Sequence, residues 1–123
     1  MYLLDTHVLV WLATGDKRLS RAVGALLTTP DIGIFVSVIS EWELVLKQRT
    51  SSFRLPVPFD VLIERSTFSC IDLAFGTPRL VESLPTIHDD PFDRILIAQA
   101  LFHDYTLVTR DGDIRKYPVP TFW

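Results

Sequence analysis

Cysteine is almost missing from this chain: Cys70 stands alone among 123 residues. No disulfide can form within the chain, which fits a reducing compartment. Long apolar runs are missing too. No stretch approaches the ~18–20 uninterrupted apolar residues of a membrane span. The run from Tyr2 to Ala13 is broken by Asp5, Thr6 and His7, and it lacks the basic start and small-residue cleavage site of a signal peptide. These absences predict a cytoplasmic protein that does not engage a membrane. Positive charge is in deficit, with 12 Lys and Arg against 15 Asp and Glu and a net charge of -3. A protein that wraps nucleic acid on a basic surface is therefore excluded. A nuclease is not, because bound cations can supply the missing charge. The three histidines, His7, His88 and His103, show no paired spacing of the zinc-binding kind. No GxxxxGK[ST] or GxGxxG loop occurs, and Ser37 and Ser40 lie in no nucleophile elbow. There is no internal repeat, no low-complexity segment and no linker, so residues 1–123 read as one domain.

Apolar residues make up 48% of the chain and charged ones 22%, enough for a true core. Tyr2–Leu4 reads as a short buried strand and Thr6 to Thr14 as a helix closed by Gly15. Ser20 caps a helix reaching Leu27, which Thr28-Thr29-Pro30 ends. Ile32 to Val36 is a strand; Ser37 or Ser40 then caps a helix running to about Gln48. After a polar connection from Arg49 to Pro58, Phe59 to Phe68 is helical, Cys70 to Leu73 a strand and Thr77 to Leu84 a helix. Asp90-Pro91 opens a long helix, since proline suits the first helical position. Thr106 to Thr109 is a strand, Asp111-Gly112 a turn, and the tail from Tyr117 adds one short edge strand. The strands are continuous apolar runs alternating with helices. That pattern predicts an α/β fold: a three-layer α/β/α sandwich around a mostly parallel sheet covered on both faces.

Four carboxylates fall at strand ends or helix starts, and each has an innocent explanation. Asp5 follows the first strand and could cap the next helix. Glu43 could pair with Lys47 on an exposed helix face, worth roughly 0.3 kcal/mol. Asp93 lies three residues after Asp90 and could serve the helix dipole alone. Asp111 precedes Gly112 and could form an Asx-turn. Taken together they point one way. Ligand sites of parallel α/β sheets form beyond the carboxyl ends of the strands. Four acids at that edge, with no His/Cys cluster, specify a hard cation such as Mg²⁺ or Mn²⁺.

At these residues the chain resembles the PIN-domain ribonucleases, and among them the VapC-type toxins of bacterial toxin–antitoxin pairs. The resemblance spans the chain through four blocks in order: LLDTHVLVWL from Leu3, SVISEWELVLK from Ser37, DPFDRILIAQA from Asp90 and LVTRD from Leu107. It implies a PIN-like fold, metal-dependent endonuclease activity on single-stranded RNA or RNA loops, a homodimer, and inhibition by a cognate antitoxin. The family's four acids fall on Asp5, Glu43, Asp93 and Asp111, and its two hydroxyls on Thr6 and Thr109. Two positions depart from the pattern. His7 stands where many relatives have Asn, and Asp89 where a basic residue often precedes the DPFD segment, which makes the site mouth more acidic.

Phosphodiester hydrolysis needs an activated water and charge relief, which one or two ions about 3.5–4 Å apart can supply. Mg²⁺ binds few carboxylates directly. Asp5 and Asp93 are therefore expected as direct ligands, with Glu43 and Asp111 acting through water or on a second ion. Thr6, Thr109 and Asp90 are expected to orient ligands or waters, Asp90 chiefly as a helix cap. Arg94 and Arg110 are expected to pair with neighbouring acids, with RNA phosphate the alternative. His7 is expected to pack against its helix, and Trp11, Trp42 and the phenylalanines to be core unless they line an antitoxin groove. Rival readings are a flap-type or structured nucleic-acid nuclease, a non-catalytic binding module, and a response-regulator-like acidic pocket.

Overall fold

The computed structural model describes residues 1–123. Its elements are β1 (Tyr2–Leu4), α1 (Thr6–Thr14), α2 (Arg21–Leu27), β2 (Ile34–Ser37), α3 (Val38–Thr50), α4 (Phe59–Glu64), β3 (Ser69–Ile71), α5 (Thr77–Leu80), α6 (Pro91–His103), β4 (Thr106–Val108) and β5 (Thr121–Phe122). Short 3₁₀ turns cover Val81–Ser83 and Ile114–Lys116. The sheet order is β3-β2-β1-β4-β5, and every pairing is parallel.

Alternation along the short strands splits the interior in two. Leu3 and Leu107 point into a core with Leu96, Ile97 and Ala100 of α6. Their neighbours Leu4 and Val108 point the other way, onto Val8 and Leu9 of α1 and Val23 and Leu26 of α2. Both faces are thus covered, which is why the strands carry no polar stripe. Helix α3 serves both sides, giving Ile39 to the first core and Leu44 to the second.

Local signals set most boundaries. Ser20 accepts from the Val23 N–H (3.1 Å) and caps α2. Ser37 caps α3 through the Ile39 N–H (3.0 Å), while Ser40 lies buried inside the helix. Gly15 closes α1 at φ 65°, a left-handed conformation that costs glycine little. Several expectations shift. The second strand begins two residues later than expected, because Ile34 is the first residue in register with Tyr2. Helix α3 extends to Thr50, and Phe59 to Phe68 keeps helix only to Glu64, where Ser66 turns the chain by binding the Ile63 carbonyl. The helix expected from Thr77 to Leu84 breaks into α5 and a 3₁₀ turn.

β1 stands at the centre of the sheet. Chain order runs outward through β2 and β3 on one side and through β4 and β5 on the other. The reversal lies between β1 and β4, and at such a point the loops leaving the strands diverge and open a crevice.

Candidate active site

The crevice holds the acids. Leu4 and Val108 are in register, so Asp5 and Thr109 emerge side by side. The Asp5 N–H still binds the Val108 carbonyl (3.0 Å). Asp5 occupies the N-cap position of α1, yet its carboxylate makes no capping bond; Thr109 Oγ1 donates to its Oδ2 instead (2.7 Å). Thr6, the next residue, donates to Ser40 Oγ (2.9 Å) rather than to a carboxylate. That buried bond ties α1 to α3, and Glu43, one turn beyond Ser40 on the same face, is thereby brought to the site.

Asp93 reaches it from the first turn of α6. Asp90 caps that helix, accepting from the Phe92 N–H (2.9 Å). In a capping box the acid at Asp93's position would bind the N–H of the cap residue. Here His88 Nδ1 accepts that N–H (2.9 Å), so Asp93 is released from capping. The bond also leaves the neutral imidazole's proton on Nε2, which lies 3.3 Å from Asp93 Oδ2. Asp111 forms the expected Asx-turn: its Oδ1 accepts from the N–H groups of Asp113 and Ile114 (2.8 and 3.1 Å).

Each acid is therefore held by one oxygen and presents the other. Thr109 holds Asp5 Oδ2, Lys47 holds Glu43 Oε2 (3.2 Å), His88 holds Asp93 Oδ2 and the turn holds Asp111 Oδ1. The opposite oxygens of Asp5 and Glu43 are buried with no partner at all. Asp5, Glu43 and Asp93 are only 2%, 4% and 6% exposed. The Glu43–Lys47 pair expected on an exposed face thus exists, but with its acid end buried. Burial raises the Asp5 carboxyl above its ordinary range, against the opposing Thr109 hydrogen bond. Asp93 is pushed up to about 8, first by burial and then by the charges of Asp5, Asp90, Glu43 and Asp111. Unpaired buried carboxylate oxygens are costly unless a cation completes them. An all-oxygen set of this kind fits a hard divalent ion.

A family model of the PIN domain matches residues 2–120. The chain belongs to the PIN-domain family. A curated relative of this PIN protein is "Ribonuclease VapC22" of Mycobacterium tuberculosis, 32% identical over 130 residues, spanning 98% of this chain and 97% of that protein. Among solved structures, VapBC2 from Rickettsia felis, bound to a DNA fragment from its promoter, superposes with a TM-score of 0.77 at 19% identity. That match covers 98% of this chain and 96% of the other. A toxin–antitoxin complex from Klebsiella pneumoniae gives 0.67 at 21% identity, covering 100% and 97%. These likenesses establish the PIN fold, an α/β/α sandwich whose sheet is here entirely parallel.

The structure departs from several expectations around the site. Arg94 pairs with no acid: it donates to the carbonyls of Pro85 and Val81 (2.8 and 3.1 Å) and to Tyr117 Oη (3.0 Å), fastening the loop that carries His88. Arg110 forms no ion pair either. His7 is exposed, and Trp42 is 56% exposed, with an edge-to-face contact on Phe92 (5.2 Å). His88 is the residue that spacing rules missed, because it acts through a helix cap and not through a paired-histidine motif. Its position two residues before the cap Asp90 was the available signal. One ligand atom each from His88, Asp111 and Asp113 lie within 4.8 Å of one another, but both His88 nitrogens are already engaged, Nδ1 with the Asp90 N–H and Nε2 beside Asp93.

Thr109 is the part of this arrangement most open to a stability test. Its hydroxyl donates to Asp5 and accepts from the Asp111 N–H (3.0 Å) in a fully buried position. Thr109→Val keeps the volume and strands both partners, at a cost of about 1–3 kcal/mol. Chemical denaturation should show that loss; a variant as stable as the parent would mean that solvent replaces both bonds.

Proposed function

We propose that this PIN-domain protein is a Mg²⁺- or Mn²⁺-dependent endoribonuclease that cuts single-stranded RNA or RNA loops, and that it is the toxin of a toxin–antitoxin pair. The observation that carries the reading is the set of four acids, each tethered through one oxygen, with two buried carboxylate oxygens left unpartnered at the β1/β4 crevice. The ribonuclease name of the Mycobacterium relative and the toxin–antitoxin titles of the structural neighbours support it. On this reading the protein works in the cytoplasm. No helix is long and apolar enough to cross a membrane.

Asp5 and Asp93 are assigned as direct ligands, and Glu43 and Asp111 as residues acting through metal-bound water. An ion held there would supply charge relief on the phosphoryl oxygens and a more acidic water. The chain's own residues prepare that centre. Thr109 fixes the rotamer of Asp5 and His88 that of Asp93, so that the free oxygens face the crevice without reorganisation. Asp90 keeps the first turn of α6 in place, and the Thr6–Ser40 bond holds Glu43 at its depth.

Two apolar surfaces remain open for partners. A groove of about 820 Å³ runs between α2 and α4, lined by Leu27, Ile32, Leu62 and Phe68. It lies at the amino-terminal ends of β2 and β3, away from the acids. The second surface is the stripe Val38, Trp42 and Val45 on α3, next to Phe92 and flanking Glu43 and Asp93. A second copy of the chain and an amphipathic antitoxin helix are the occupants this reading calls for.

The test offers the purified protein single-stranded RNA, duplex RNA and flapped DNA, each with Mn²⁺ and with EDTA. Cleavage of single-stranded RNA, dependent on Mn²⁺, is expected. Cleavage of the flap alone would favour a structure-specific nuclease, and inertness toward all three would overturn the reading. Expression alone should arrest growth, and coexpression of the small protein encoded next to it should relieve the arrest.

A further inference from the structure

A cavity of about 300 Å³ opens from the acidic crevice on the side away from α6. Asp5 and Asp111 form one wall, and His7, Trp11, Arg18 and Arg110 the rest. An acidic chain thus places two arginines and a histidine directly against its acidic centre. Resting on the ribonuclease reading, we propose that this cavity seats the nucleotide flanking the scissile phosphate, with Arg110 on its phosphate and the Arg18 guanidinium stacked on its base.

Arg110 is suited to the phosphate. It lies between Thr109 and Asp111, whose backbone and side chains are pinned to each other and to Asp5. Its backbone position relative to the metal-binding acids is therefore fixed. Its own side chain is exposed and unpaired, so no internal acid competes for the charge. An anion arriving beside the carboxylates meets a free guanidinium there.

Arg18 is suited to a base. Its Nε and Nη2 donate to Asp16 (3.1 and 2.8 Å), and one face of the guanidinium lies over the Trp11 ring, 4.9 Å from its centroid. Asp16 neutralises the charge and Trp11 fixes the plane. What remains is a flat, pre-set, solvent-facing guanidinium surface, the kind on which an unstacked RNA base can lie. The ion pair also disfavours Arg18 as a phosphate ligand, which divides the two roles. An unpaired strand can splay one base into a cavity of this size without breaking a base pair, so the site favours single-stranded over duplex RNA.

The experiment measures binding of a short single-stranded RNA to the Asp93→Asn protein, which leaves the RNA intact, across a salt series. Arg110→Ala in that background should weaken binding about tenfold and lower the log–log salt slope by about 0.7, the share of one phosphate on a single strand. Arg110→Lys should restore the slope. Arg18→Lys keeps the charge but loses the plane, so it should weaken binding about tenfold with the slope unchanged. An RNA made abasic at the seated position should erase the difference between Arg18 and Lys. Unchanged melting temperatures of the variants exclude a folding defect. If the unsubstituted protein cleaves RNA yet Arg110→Ala binds with the same affinity and slope, the subsite is wrong and the ribonuclease reading stands. If Arg110→Lys fails to restore the slope, the phosphate contact is wrong; if Arg18→Lys binds as tightly as the parent, the base contact is wrong. If the protein neither binds nor cleaves single-stranded RNA, both fall together.

Discussion

Asp93→Asn should reduce RNA cleavage at least a hundredfold while leaving the fold intact. The substitution keeps the side-chain volume and removes one of two carboxylates assigned as direct ligands. Losing one preorganised charge-stabilising group typically costs a factor of about 10²–10³. Asn keeps an oxygen that His88 can still meet, and the N-cap bond from Asp90 to Phe92 is untouched, so α6 should retain its start. Single-turnover cleavage under saturating Mn²⁺ gives the rate, and circular dichroism checks the fold. Equal rates for the two proteins would remove Asp93 from the ligand set.

The metal-free protein should lose stability as pH rises from about 4 to about 8, and Mn²⁺ should remove most of that loss. The sign follows from Asp93. Its carboxyl ordinarily titrates near 3.8, and in the fold it is pushed up to about 8. Between those values the folded chain holds a proton that the unfolded chain has released. Stability is therefore fully present below the unfolded value and falls as pH rises through the folded one. One group can contribute at most about 1.4 kcal/mol per pH unit, and solvent at the crevice mouth reduces that slope. An ion bound only by the folded state adds RT ln(1 + [L]/Kd), about 2.7 kcal/mol at one hundred times Kd. Melting curves in EDTA and in Mn²⁺ at several pH values give the comparison, and Asp93→Asn isolates the contribution of this one carboxyl. A metal-free variant with the same pH slope as the parent would assign the effect to other groups.

The layered parallel fold was legible because the short strands are mostly apolar and three helices carry a recognisable start: Ser20, Ser37 and the Asp90-Pro91 pair. What failed was length. Phe59 to Phe68 and Thr77 to Leu84 have helical composition, but hydroxyl and carbonyl contacts from Ser66 and Ser83 divert the backbone, and such local competition has no periodic signature. The four acids were legible as positions, since strand ends and helix starts can be read along a chain. Their tethers were not. Thr109 meets Asp5 across 104 residues, and Tyr117 meets His88 across 29. The pairing of Arg94 with an acid failed for a related reason: the four acceptors around Arg94 are main-chain or phenolic oxygens, whose placement only the folded loop determines.

The order of strands also governs when the centre can come into being. β1 is made well before its partner β4, which begins at Thr106, and before the edge strand β5, which begins at Thr121. Until those segments emerge, Asp5 has no Thr109, Asp93 has no Asp111 nearby, and Leu3 has no Leu107 beside it. Such long-range parallel pairing is slow and late in folding. A chain in which β4 has not yet docked therefore lacks the Thr109 tether of Asp5 and the turn that carries Asp111. The site as described is complete only in the chain whose β4 and β5 have docked on β1, because that docking sets Thr109 and Asp111 beside Asp5.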